Sequence, residues 1–284
     1  MIAFMNRNLK LYLRDRSAVM FSLLAVFIVI GLYVLFLGET WTSNMKDIPH
    51  AKEMMNHWIM AGVLSIISVT TTMGMLGTMV KDRAMQTNKD FFVAPVKRSA
   101  ITGGYMLGAL VVGIVMTIFA FILAEIFIVV SGGDLLTPLA MLKILGLIFM
   151  ISLMNTALVL LIVSLFSSLN AFSTASSIVG TLIGFITGIY LPVGMYPNAV
   201  QWVIKLFPVS HGAVLFRKVM MDASMEKAFA QAPKDMVLEI KEQLGVVYFF
   251  GDRQVGTMES LLFIIGSAVV FWILASFIMK RKTK

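Results

Sequence analysis

The sequence predicts an all-α polytopic membrane protein with six transmembrane helices, an N-terminal interfacial helix and a broken outer re-entrant helical hairpin between spans five and six. Three observations predict it. The chain is 59% hydrophobic and only 13% charged, too little polar surface to solvate a globule. Its apolar residues arrive in blocks of roughly 20, the length that crosses a ~30 Å hydrocarbon layer. The blocks are continuous rather than alternating, which selects helices over barrel strands, the two structures that satisfy backbone groups in lipid.

At the N-terminus, Ile2, Met5, Leu9, Tyr12 and Leu13 share one helical face, and Arg7, Lys10 and Arg14 another. That pattern fits an amphipathic helix along the inner leaflet; a basic flank that merely sets topology is the alternative. Spans are expected at Ser17 to Gly38, Trp58 to Val80, Gly103 to Val130, Pro138 to Leu165, Phe172 to Leu191 and Met258 to Met279. The first is longer than a signal-peptide core and lacks a small-residue cleavage site, so it is expected to remain as a span. An even number of spans puts both termini on one side. Arg7, Lys10, Arg14 and Arg16 at one end and Lys280, Arg281, Lys282 and Lys284 at the other make that side cytoplasmic, the inner face of the cell membrane.

The connection Ser131 to Thr137 has no Lys or Arg, and the one before span two offsets Lys46 and Lys52 with Glu39, Asp47 and Glu53; both read as outside. The whole chain, 1–284, is read as one transmembrane domain with an extracellular subdomain at 192–257. There Pro192, Pro197 and Pro208 cut an apolar stretch into two short helices, with Asn198 and Ser210 as caps. Together with Gly194 they would form an outer gate of the re-entrant kind; an ordinary extracellular subdomain is the alternative. Farther on, Pro233 and Gly245 bracket a mixed-charge helix whose Val237, Ile240 and Leu244 share a face.

Several residues stand out within the spans. Ser176, Gly180, Gly184 and Gly188 recur every four residues, a smooth strip expected to pack against another helix or a second copy. Glu125 is a costly carboxylate near the outer end of span three, either functional or snorkelling to water. Thr70, Thr71 and Asn155 are further candidates for a polar pathway, or for bonds between neighbouring helices.

The formal charge of +8 sits beside the hydrophobic runs, where headgroups and orientation explain it without nucleic acid. There is no Cys, and the three His residues are scattered, so no local metal site is visible. No P-loop, nucleophile elbow, His-Glu-x-x-His pair or dinucleotide fingerprint is present, which argues against an enzyme. Between spans two and three, Lys81 to Ser99 forms a charged island with five basic residues and an apolar Phe91-Phe92-Val93 core, the character of a loop that docks on a cytosolic partner.

Asp82, Arg83 and Thr87, followed by Phe91, Phe92, Val93, Pro95 and Arg98, resemble the first inner loop of the permease subunits of ABC-2 type exporters, in particular their drug- and antibiotic-export branch. Ala84 and Gln86 depart from that loop's pattern. Leu191 to Pro197, followed by Phe207 and Pro208, is similar to the family's broken outer segment. The resemblance implies a pair of permeases, identical or related, docked on two cytosolic ATPases that bind ATP and magnesium, with no cofactor in this chain. It implies outward movement of a hydrophobic small molecule, peptide antibiotic or lipid-like cargo along spans one, two and five. Lys81 to Phe92 would be a short coupling helix, with Phe91 and Phe92 as anchors and Asp82, Arg83, Thr87 and Asp90 around them. The alternatives are an ion-coupled carrier using Glu125 and a non-transporting immunity or assembly factor.

Overall fold

A computed structural model describes residues 1–33, 35, 48–87, 91 and 97–282. The fold is all-α and membrane-spanning in character, as the apolar blocks require. Helix α1 spans Ile2–Arg14 and α2 Arg16–Leu32. The long helices are α3 (Ala51–Ala84), α4 (Arg98–Val130), α5 (Pro138–Leu165) and α6 (Leu169–Ile186). A 3-10 turn at Val193–Met195 leads to α7 (Asn198–Leu206), α8 (Pro208–Met220), α9 (Asp222–Ala228) and α10 (Lys234–Gln243). A short antiparallel hairpin, β1 (Phe249–Phe250) and β2 (Arg253–Gln254), pairs Phe249 with Gln254 and Phe250 with Arg253 before α11 (Thr257–Lys282).

Among the described residues, five helices (α3, α4, α5, α6 and α11) are long and apolar enough to cross a membrane, and the bent pair α7–α8 would make a sixth. Span four is found at the expected bounds, because Pro138 fits the first helical turn and Thr137 accepts a hydrogen bond from the Ala140 amide. Span two is longer at both ends than its apolar block, since polar flanks continue a helix once it is packed. The first expected span begins as α2; its continuation from residue 36 to 38 lies outside the described residues.

Helix α3 is the axis of the bundle. It packs against α4, α5, α8, α2 and α6, and 89% of its most apolar window is buried, against 17% for α6 and α11. Small side chains permit this closeness: a Cβ on Gly113 of α4 would lie 2.8 Å from Thr72 Oγ1. A polar seam fixes register between α3 and α5, where Asn155 Nδ2 donates to Ser68 Oγ at 3.0 Å and Ser68 meets Ser152 at 3.3 Å. Helix α11 covers the far side of α5, and α1 lies on α4.

Candidate functional site

The end of the bundle that carries both termini is organised by the last turn of α3. Asp82, only 8% exposed, accepts from Arg7 Nη1 at 2.8 Å and Nη2 at 3.2 Å, and from the Tyr105 hydroxyl. Hydrogen bonding to Asp82 raises the Arg7 pKa further above its ordinary value. Around this fork, Phe4 stacks edge-on against Phe91 at 5.0 Å and Tyr105 at 5.1 Å, and the Arg7 guanidinium lies 4.8 Å from the Phe91 ring centre. Next along the chain, Arg83 donates to the carbonyls of Val163 and Phe166, at 3.2 and 3.4 Å, at the C-terminal end of α5, where a cation is favoured.

These contacts correct the expected coupling helix. Lys81 to Ala84 continue α3, and Met85 to Thr87 form a turn with Gln86 at φ 60°. Asp82 and Arg83 are spent on internal contacts, and Phe91 is tied to α1; Thr87 is partly exposed. Asp90 and Phe92 lie outside the described residues. The N-terminal helix forms as expected, but its faces differ. Tyr12 and Asn8 are buried against α3 and α4, Ile2 and Leu13 stay exposed, and Arg7 turns inward because Asp82 waits there.

The strip on span five is also corrected. Helix α6 ends at Ile186, and Gly188, at φ 67°, lies beyond it in a conformation that suits glycine. The Tyr190 ring fills the space over Gly184, so only Gly180 opens onto nothing, and Ser176 is partly covered. What α6 exposes instead is a row of hydroxyls: Thr174, Ser177 and Thr181 each donate to the carbonyl four residues earlier, at 3.1, 3.2 and 3.0 Å.

At the opposite end, α7 and α8 meet at 88°. Pro197 precedes α7 and Pro208 opens α8, the places where a missing amide costs least. The expected caps differ: Asn198 is already helical, and Ser210 Oγ donates back to the carbonyls of Ile204 at 2.6 Å and Phe207 at 2.8 Å. Pro192 leads into the 3-10 turn, where a Cβ on Gly194 would lie 2.7 Å from the Gln243 Cα, so this turn holds α10 at backbone distance.

Behind the hairpin lies Arg217, fully buried. Its Nη2 donates to the Gly188 carbonyl at 3.2 Å and its guanidinium sits 4.7 Å from the Trp58 ring centre, while Nε and Nη1 have no partner among the described residues. Trp58 in turn donates to the Leu244 carbonyl at 2.7 Å. Helix α3, the broken hairpin and the α10 segment therefore meet at one guanidinium.

Beside it, a cavity of about 820 Å³ opens between α5, α8, α9 and α11. One rim is clasped by Lys227, which donates to Glu53 at 3.1 Å and Asp134 at 2.6 Å. Of the expected pathway residues, none lines this cavity. Thr70 and Thr71 donate to carbonyls of their own helix, and Asn155 to Ser68. Glu125 is 7% exposed and its Oε2 accepts from the Leu136 amide at 3.1 Å, which tucks the α4–α5 connection against the bundle. Among the described residues, no cluster of His, Asp and Glu is placed to hold a metal ion.

A family model described as ABC-2 family transporter protein matches residues 39–277, most of the chain. The protein belongs to the ABC-2 transporter family. No curated protein matches it. As an ABC-2 family permease it is the membrane component of an ABC transporter and implies an ATPase partner. The matched stretch begins after α1 and α2, so the Arg7–Asp82 fork joins an element outside it to one within. Arg217 had escaped sequence reading, and Asp82 had been expected to face the ATPase rather than Arg7. Arg217 carried a signal, the first of two cations that follow the apolar run Gly212 to Phe216, and Asp82 carried another, a single acid between two basic residues at a span's end.

Proposed function

We propose that this ABC-2 permease is the conduit of an ATP-driven exporter, one of two copies or a pair with a related permease, energised by two cytosolic ATPases at the terminus-bearing end. One observation carries the reading: α3 runs without interruption for 34 residues, ~51 Å, from the hairpin end to the expected docking loop. Buried along its length, it moves as a rod. Closure of ATP-bound partners would push on the loop at 85–97, and the Arg7–Asp82 fork and Arg83 would pass that push into α1, α3 and α5 together. Rigid-body coupling of this kind works when nucleotide favours one transporter state over the other.

The hydroxyl row of α6 supports a route on that side. Each hydroxyl is already bonded within its own helix, so what the row offers is a small-residue face that a second permease or a cargo can approach closely. The bent α7–α8 pair, with Pro192, Gly194, Pro197 and Pro208 at its joints, then forms the outer gate. Cargo is a hydrophobic small molecule, peptide antibiotic or lipid-like amphiphile, and both termini are cytoplasmic in the inner membrane. An ion-coupled carrier would require Glu125 to load and release a proton from an open path, and its contact with Leu136 lends that reading no support.

The test uses the chain co-expressed with a cassette ATPase encoded in neighbouring reading frames. Replacing Phe92 with Ser, which leaves Phe91 on α1, is expected to reduce ATPase recruitment and abolish ATP-dependent accumulation of cargo in sealed vesicles. Unchanged copurification and transport would overturn the docking role, and ATP-independent pumping by the permease alone would overturn the exporter.

A further inference from the structure

The cavity at the hairpin end sorts its charges. Lys143 projects from α5 and Lys218 from α8, whereas Asp222 and Glu226 come from α9. None of these four makes an ion pair with another described residue, although Asp222 lies near enough to Lys218 to favour its charged form. Lys227 bonds both rim acids, Glu53 and Asp134, which leaves two lysines and two acids unbonded toward an occupant and one negative charge in excess over the whole lining. Helices α5 and α11 both begin beside it, and their N-terminal dipole ends favour an anion on the lysine side.

Its depth and walls are equally specific. Lys143 lies five residues beyond Pro138, ~8 Å along α5, and Leu261 four residues beyond Thr257, ~6 Å along α11. That is headgroup depth at the ends of two spans. Leu139, Leu147 and Met150 continue the wall, and the neighbouring Leu142 and Leu262, 66% and 61% exposed, extend an apolar surface down both helices.

We infer that the cavity binds a zwitterionic phospholipid of the phosphatidylethanolamine type. Its phosphate sits with Lys143 and Lys218, its ammonium with Asp222 and Glu226, and its acyl chains lie along α5 and α11. An anionic lipid would leave the two acids unanswered and repelled; a cationic one would leave the lysines so. No residue of α6 lines the site, whereas Glu53 of α3 and Lys218 of α8 do, so it adjoins the proposed gate without sharing the α6 face of the route. Loss of transport with lipid binding intact would count against the route and not against this site.

Native mass spectrometry of the full-length protein in detergent tests the inference, with phosphatidylethanolamine, phosphatidylglycerol and soluble phosphoethanolamine as probes. The wild type is expected to retain phosphatidylethanolamine in preference to phosphatidylglycerol and to bind the soluble head group far more weakly. Lys143→Gln with Lys218→Gln should weaken phosphatidylethanolamine about tenfold, as expected for losing charge-assisted contacts to phosphate. Asp222→Asn with Glu226→Gln, at exposed positions, should shift preference toward phosphatidylglycerol, a change that disturbed folding would not produce. Absence of discrimination by the wild type, an unshifted preference in the acid variant, or equal binding of the soluble head group would each overturn it.

Discussion

At the terminus end of α3, the Arg7 guanidinium meets both oxygens of Asp82, at 2.8 and 3.2 Å, and a tyrosine hydroxyl completes the carboxylate's shell. At the hairpin end, Arg217 is more deeply buried and meets no carboxylate among the described residues, only one carbonyl and an indole face. The first arrangement balances charge with charge and is costly to break from either side. The second leaves two buried nitrogens without a partner among the described residues, so an apolar side chain of similar length would serve stability as well. One rod thus has an end built to hold and an end built at a cost. A cost kept at the broken hairpin is what a gate needs, because another arrangement of the same groups is then not far away in free energy.

Breaking the firm end should give the largest effect. Asp82→Ala leaves Arg7 and the Tyr105 hydroxyl without their acceptor and is expected to cost about 3 kcal/mol, read as a lower Tm in detergent. Arg7→Ala should cost less, because its side chain is 31% exposed and the carboxylate keeps Tyr105. Arg217→Met should move stability the other way or not at all, with a gain of up to about 1–2 kcal/mol, while lowering ATP-driven transport. A loss as large as that of Asp82→Ala would show that Arg217 is as well satisfied as Arg7 and would remove the contrast.

The fold was legible where one local rule decided it. Continuous apolar runs located the long helices, and the start expected at Pro138 is the start of α5, because a proline acts within one turn. Pro233 and Gly245 likewise bracket α10, with Gly245 at φ 65°. The sites were less legible, because their partners are distant. Arg7 and Asp82 are 75 residues apart, and nothing in an amphipathic pattern tells a solvated arginine from one with a carboxylate waiting on another helix. The four-residue period through Gly188 persisted past the end of α6, since spacing carries no record of the positive φ that stops the helix there. Glu125 was misplaced for a related reason. Distance from a span's end suggested water, but a backbone amide of the next connection was nearer.

Two smaller changes sharpen the comparison at the costly end. Gly194→Ala places a Cβ 2.7 Å from the Gln243 backbone, which must withdraw; the expected loss is about 1 kcal/mol, with faster amide exchange in α10. Unchanged exchange there would show that the 3-10 turn and α10 do not restrain each other.

The smallest effect belongs to the Lys227 clasp. Its hydrogen bond holds Asp134 below the ordinary carboxylate range, and Asp134 and Glu53 hold Lys227 above its own. A depressed acid contributes stability above its unfolded pKa, about 4, and loses it as pH falls through the lower folded value. A raised lysine contributes below about 10.4 and loses it as pH climbs through its higher folded value. The clasp should therefore be constant through neutral pH and open at either extreme. Because Lys227 and Asp134 are 37% and 82% exposed, the effect is weak and screened by salt. Amide protection at residues 134–137 should fall in acid for the wild type and change little for Lys227→Gln, with the difference shrinking in about 0.5 M salt. Arg7, whose partner raises it from an already high value, stays charged over the same alkaline range, so the firm end should show no matching loss as pH rises. If both ends loosened together in alkali, the two would be parts of one cooperative unit and α3 would not separate a fixed end from a movable one.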